Sequence, residues 1–311
     1  MEKHFIGIEI GGTKLQIVAG AIRGGITERR RFAVDPARGA GGIRAQLQDG
    51  LATLRSRVSA EAIGVGFGGP VDWRSGKICR SHQISGWSEF DLASWIRQQW
   101  DLPIIVDNDA NVAALGEAWH GAGRAANPVF YVTLGSGAGG GFIVDGEIYH
   151  GAPPGEAEIG HIRLDKNGQT LEERCSGWAV DRRIRNEISV SQDGPLAQLA
   201  AAAPGGEARF LGQALAQKDA LAEKILNDVA DDLGFGLSHA THLFHPQTIV
   251  LGGGLSLLGE PLRAAVERRL RGYIMEAFQP GPTVALAQLA EDAVPIGALE
   301  LARSINASGA V

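Results

Sequence analysis

Apolar residues along this chain come in short runs punctuated by glycine and in longer stretches with helical spacing. Residues 5–9 form one short run, ending in Gly11-Gly12-Thr13-Lys14. Residues 15–19 return, Gly24-Gly25 turns again, and a third run follows over 26–34. Glycine at the corners between such runs predicts an antiparallel meander. Over 43–58 the apolar Leu47, Leu51, Leu54 and Val58 recur every three or four residues, the period of a helix. A strand at 62–67, ended by Gly68-Gly69-Pro70, a helix at 92–100 and a strand at 103–106 come next. That strand runs into Asp107-Asn108-Asp109 and a helix to about His120. The same grammar then starts again: a strand at 129–134, the turn Gly135-Ser136-Gly137, a returning strand at 141–144, Asp145-Gly146, and a third strand at 148–149. This predicts a structural pseudo-repeat, one copy per lobe. Helices are expected at 176–188, 207–217 and 218–244. A strand at 248–251 follows, ended by Gly252-Gly253-Gly254, then a helix, a strand at 284–289 and a last helix over 295–305. Strands alternating with crossover helices indicate an α/β protein. The expected lobes are 1–122 with the C-terminal segment 295–311 returning to it, and 123–294.

Composition narrows the class. Of 311 residues 44 are glycine, without the three-residue period of collagen. Hydrophobic residues make up 44% and charged ones 21%, which excludes a disordered chain. The formal net charge is −6, which argues against general nucleic-acid affinity. The one basic run, Arg29-Arg30-Arg31, reads as a solvated edge strand. Two cysteines, Cys79 and Cys175, cannot make a disulfide framework or a zinc site of three or four thiolates. No secretory signal and no apolar run long enough to cross a bilayer is legible, so the expectation is a cytoplasmic protein with no membrane partner.

The glycine turns are the first candidates for chemistry. Glycine lets successive backbone N–H groups approach an anion, and Gly11, Gly12, Thr13 and Lys14 add a hydroxyl and a cation. Thr133, Gly135 and Ser136 offer more of the same, and Gly253 and Gly254 lie between a strand and a helix. Each turn alone could be no more than a tight turn; three of them, two in duplicated hairpins, favour a phosphate ligand. Asp109 ends a buried strand and opens a helix, where ligands bind in α/β sheets; there it could take a proton from a hydroxyl or simply cap the helix. Glu156, Glu158 and His161 could bind a polyol or a metal, or be a polar loop. His239, His242 and His245 read as a helix C-terminus rather than a metal site.

In order along the chain, GIEIGGTK (7–14), GFGGPVD (66–72), DNDANVAALGE (107–117), TLGSGAGGG (133–141), AEIGH (157–161) and VLGGGLS (250–256) resemble the motifs of the ROK family of sugar kinases and related repressors. The resemblance spans nearly the whole chain. It implies a duplicated, two-lobed actin/hexokinase-like (ribonuclease H-like) ATPase fold with a ligand cleft between lobes. It implies Asp109 as general base, with Gly68, Gly69, Asn108, Asp109, Glu158, His161 and Glu172 on the sugar. Gly11, Gly12, Thr13, Lys14, Thr133, Gly135, Ser136, Gly253 and Gly254 would surround the nucleotide, and lobe closure would exclude water. ATP and Mg2+ would be the cofactors, Glu9 organising the metal indirectly. Relatives are commonly homodimers or homotetramers.

Three departures stand out. The family's CxCGxxGC zinc cluster is missing: Thr170 stands where its last cysteine would be, so no structural zinc is expected and the order of the 162–175 loop needs another source. Glu9 replaces the usual Asp. SHQISGW (81–87) replaces SPNLPGW, which leaves the sugar undefined. The function implied is ATP-dependent phosphorylation of a hexose or N-acetylhexosamine. The alternative is a catalytically impaired sugar-binding or sensing protein. The first strand begins at about residue 5, so the DNA-binding domain of the family's regulators is not expected. A kinase of the same fold acting on a carboxylate such as acetate fits AEIGH and DNDAN less well. Fifteen glycines, at 7, 11, 12, 64, 66, 68, 69, 135, 137, 139–141 and 252–254, are expected to admit ligand.

Overall fold

Strand β1 (His4–Ile10) alternates so that Ile6, Ile8 and Ile10 face one side of a sheet and Phe5, Gly7 and Glu9 the other. The computed structural model describes residues 3–21, 25–81, 84–153, 157–190 and 193–308; Gly24, His82, Gln83 and Glu156 lie outside them. Strands β2 (Lys14–Ala21) and β3 (Ile26–Ala33) complete the expected meander. Helix α1 (Gly39–Arg55) buries Ile43, Leu47, Leu51 and Leu54. Strand β4 (Ala60–Phe67) pairs parallel to β1. The short strands β5 (Val71–Asp72), β6 (Lys77–Ile78) and β7 (Phe90–Asp91) form a small antiparallel sheet. Helix α2 (Leu92–Trp100), β8 (Ile104–Asn108) and α3 (Asp109–His120) follow. The first sheet has the order β3-β2-β1-β4-β8.

The second series runs β9 (Val129–Leu134), β10 (Ala138–Val144), β11 (Glu147–Ile148), α4 (Leu171–Cys175), α5 (Gly177–Val190), α6 (Pro195–Ala202), α7 (Leu211–Ala216), α8 (Ala220–Phe244), β12 (Thr248–Gly252), α9 (Glu260–Tyr273), β13 (Thr283–Leu286) and α10 (Ala293–Ser308). Its sheet has the order β11-β10-β9-β12-β13. Substituting β9 for β1, β10 for β2, β11 for β3, β12 for β4 and β13 for β8 reproduces the first sheet, so the repeat is one of topology. By its contacts the chain divides into two units, one of residues 1–125, 141–157 and 288–311 and the other of 126–140 and 158–287. Among the described residues no helix is long and apolar enough to cross a membrane.

Within the first unit, α1 and α2 cover one sheet face, with Leu47, Leu51, Leu54, Leu92 and Ile96 packed on Ile6, Ile8, Ile17 and Val65. Helix α10 covers the other. It comes in unusually close because the facing positions are glycine. A Cβ on Gly64 would stand 2.0 Å from the Ala298 carbonyl oxygen, one on Gly7 2.7 Å from that of Pro295, and one on Gly66 2.6 Å from a Val294 methyl. This corrects one expectation. Gly7, Gly64 and Gly66 admit a helix, not a ligand. Gly141 likewise lies against Ala110 and Ala114 of α3.

Two other readings are refined. β3 is an edge strand, and Arg29 and the exposed Arg31 both donate to the Gln16 side-chain oxygen (2.9 and 2.6 Å), while Arg29 also meets Asp292. At the end of α8, His239 packs edge-on to Phe235, His242 accepts from the Met275 N–H, and His245 packs at a tilt against Phe278.

Candidate functional site

In the first unit, three chain ends meet where β1, β4 and β8 terminate. The Gly68 N–H donates to the Ile10 carbonyl (2.8 Å), which brings the turn after β4 against the turn after β1. A Cβ on Gly68 would lie 3.3 Å from Asp109 Oδ2 and 3.7 Å from Gly11 Cα. Gly68, Gly11 and the Asp109 carboxylate are therefore neighbours, at the carboxyl ends of parallel strands.

Helix α3 opens at this carboxylate. Asn108, not Asp109, is the N-cap: its Oδ1 accepts from the N–H groups of Ala110 (2.8 Å) and Asn111 (3.3 Å). Its Nδ2 donates to the Gly69 carbonyl (3.2 Å). Asp109 is the first residue of the helix, half-buried, at the end where the backbone dipole favours a carboxylate.

Across the hairpin, Glu9 is mostly buried. Burial pushes its carboxyl above the usual carboxylate range, against the opposing pull of Lys14 and Gln16. Lys14 Nζ stands 3.2 Å from Glu9 Oε1, and Gln16 Nε2 donates to Oε2 (2.7 Å). The turn itself is closed by the Gly11 N–H on the Lys14 carbonyl (2.9 Å), with Thr13 exposed at its tip and Gly12 half-buried.

In the second unit, the turn after β9 is closed by the Gly135 N–H on the Gly137 carbonyl (2.9 Å). The Gly135 carbonyl accepts from the Gly177 N–H at the start of α5 (2.7 Å). Glu172 Oε2 accepts from the Ala138 N–H (2.8 Å), and a Cβ on Gly137 would collide with that oxygen at 2.5 Å. Gly160 rests on the Ala138 carbonyl, and Gly253, at φ +78°, lies against the Leu134 backbone. Thr133, Ser136, Glu172, the Glu158–His161 turn and Gly253-Gly254 are thus brought together. Among the described residues nothing stands within 4 Å of a Cβ placed on Gly135 or Gly254, so both turns face open space there. Glu158 and His161 are exposed, 3.8 Å apart.

The loop that lacks the cysteine cluster is ordered by its own hydrogen bonds. Arg163 bridges Thr170, and the Leu164 N–H donates to the Gln169 carbonyl (2.8 Å). Asp165 Oδ1 accepts from Asn167 and Gln169. At its end Thr170 and Glu173 form a reciprocal capping box that starts α4, the helix carrying Glu172. Thr170→Ala is expected to cost about 1 kcal/mol, read as a lower urea midpoint at unchanged m-value. Among the described residues no group of three or more His, Cys, Asp or Glu is placed to hold a metal ion.

Sequence reasoning missed Asp107, Gln16 and His150. Asp107 was visible only as part of a possible cap, and His150 lies 43 positions from it with no local signal to connect them.

Two sheets of one connectivity, with glycine turns at the ends of their parallel strands, define the actin/hexokinase-like ATPase fold. The ROK family model matches residues 5–305, and the chain belongs to the ROK family. It is 29% identical to the glucokinase of Halalkalibacterium halodurans, over 95% of this chain and 94% of that one. It is 31% identical to the glucokinase of Streptomyces coelicolor, over 96% and 97%. A solved structure of a ROK family glucokinase from Streptomyces griseus, in complex with glucose and AMPPNP, is similar with a TM-score of 0.82 and 30% identity, covering 97% of this chain and 99% of that one.

Proposed function

We propose that this protein transfers the γ-phosphoryl group of ATP to a hydroxyl of a hexose or N-acetylhexosamine, with Asp109 as general base. The observation that carries the reading is the cap of α3. Asn108 takes the capping bonds, and the Asp109 carboxylate lies beside Gly68 and Gly11. The glucokinases it resembles over nearly its whole length support the substrate class.

Phosphoryl transfer asks for positioning and charge stabilisation more than covalent chemistry. Asp109 would accept the sugar hydroxyl's proton as that oxygen attacks. Gly68, Gly69, Asn108, Glu158, His161 and Glu172 would hold the sugar. Asn108 already spends its side-chain oxygen on the cap, so its contribution is the rigidity of the helix start and one remaining amide hydrogen. Gly11, Gly12, Thr13 and Lys14 would meet the phosphates from one hairpin, Thr133, Gly135 and Ser136 from the other, and Gly253 and Gly254 the adenosine. Magnesium, when bound, neutralises phosphate charge. Among the described residues no three acids gather into a metal-holding group, and Glu9 is engaged by Lys14 and Gln16. That donor set fits a magnesium ion bound chiefly with the nucleotide, for which Glu9 would be the protein residue nearest to hand.

The test is ADP release from ATP and Mg2+ across glucose, mannose, fructose, GlcNAc and ManNAc. Release with at least one sugar is expected. Silence across the panel, with sugar binding by calorimetry, would establish the non-catalytic sensor instead.

A further inference from the structure

His150, just after β11, is buried to 16% side-chain exposure, and its Nε2 stands 2.5 Å from Asp107 Oδ2. Asp107 is 3% exposed. An ionised carboxylate only accepts hydrogen bonds, so Nε2 carries the hydrogen. The imidazole also stacks on Trp73, ring centroids 4.1 Å apart and planes 13° from parallel. The other oxygen of Asp107 is committed to the helix start: Oδ1 accepts from the Asn108 N–H (2.7 Å) and from Asn111 Nδ2 (3.0 Å). Asn108 then caps α3 and ties it to Gly69.

A relay of named bonds therefore runs from Trp73 through His150 and Asp107 to the residues on both sides of Asp109. Trp73 itself follows the Gly68-Gly69 turn by four residues, so the imidazole touches both the segment after that turn and the end of β8. Nothing in the motif resemblance assigns a role to this histidine.

We propose that His150 is a positioning residue for phosphoryl transfer: by donating to buried Asp107 it fixes the start of α3, and with it the angle at which Asp109 meets the sugar hydroxyl. This rests on the reading of Asp109 as the base. A carboxylate displaced by a fraction of an ångström still lies near the sugar but no longer in line with its proton, so the loss falls on kcat rather than on binding.

The experiment uses the full chain with ATP, Mg2+ and whichever sugar of the panel is turned over. His150→Phe keeps an aromatic ring against Trp73 and removes the donor. His150→Gln returns an N–H near the Nε2 position without the ring. His150→Phe is expected to lower kcat about tenfold or more, with KM for ATP and the sugar Kd within about twofold and Tm near wild type. His150→Gln is expected to recover kcat to within about threefold of wild type. A His150→Phe enzyme within twofold of wild type, beside an inactive Asp109→Asn, would overturn the role of His150 alone. His150→Gln as slow as His150→Phe would overturn the donor role. Normal turnover by Asp109→Asn would overturn the base assignment and this proposal together.

Discussion

Asp109→Asn is expected to lower kcat by at least about 10²-fold, the low end for loss of a general base, while the sugar still binds. Asn keeps the size and polarity of the side chain but cannot take a proton at neutral pH. The cap of α3 is kept, because it is made by the neighbouring Asn108. Steady-state kinetics paired with calorimetric sugar binding separates the two effects. Near-normal turnover would falsify the base assignment. Loss of binding along with turnover would point instead to Asp109 as a sugar ligand whose proton chemistry lies elsewhere.

The second large effect is on stability. Gly297→Ala would place a Cβ 1.7 Å from the Val112 carbonyl oxygen of α3, with the Gly116 N–H 3.0 Å away. Gly116 faces it from α3, where a Cβ would stand 2.5 Å from the Ala293 carbonyl. These obstacles are backbone, so no side chain can rotate away and the two helices must separate. The expected cost is about 3 kcal/mol, at the upper end for overpacking. Gly272→Ala is the control: it sits near the end of α9 with nothing within 4 Å, and a gain of about 0.5–1 kcal/mol is expected there. Urea unfolding of both variants reads the difference. Equal stabilities would mean that the helix contact does not need glycine.

Local signals were reliable where one element carries its own evidence. The ends of α2, at residues 92 and 100, and the end of α3 at His120 follow from caps and apolar periodicity. They failed where glycine is present for a neighbour's sake. The returning strand is expected only from Gly141, yet it begins three residues earlier, at Ala138, because the glycine-rich run up to Gly141 masks the strand pattern; Gly141 has α3 against it. Helix α1 begins at Gly39, four residues before the expected start at residue 43, and that first turn is illegible because Gly39, Gly41 and Gly42 weaken the helical pattern. Helices α4 and α6 were not expected at all. The first has five residues and depends on its capping box; the second is a run of alanine and leucine with no polar face to mark a period.

The site divides in the same way. The glycine hairpins, Asp109 and the family motifs are contiguous in sequence, because approach of backbone to phosphate and a helix opening on an acid are local geometries. Glu172 on the Ala138 N–H and His150 on Asp107 are not contiguous. Chain topology alone brings these partners together, across 34 and 43 positions.

The sequence by itself determined the α/β class, the repeat, the order of the motifs and the identity of the candidate base. Only the tertiary structure decided which glycines face open space and which admit α10, and which distant side chain meets the buried Asp107. The physical reason is range. Backbone freedom and capping are written within a few residues, whereas the space beside a glycine and the partner of a buried carboxylate are set by whichever distant segment the fold places there.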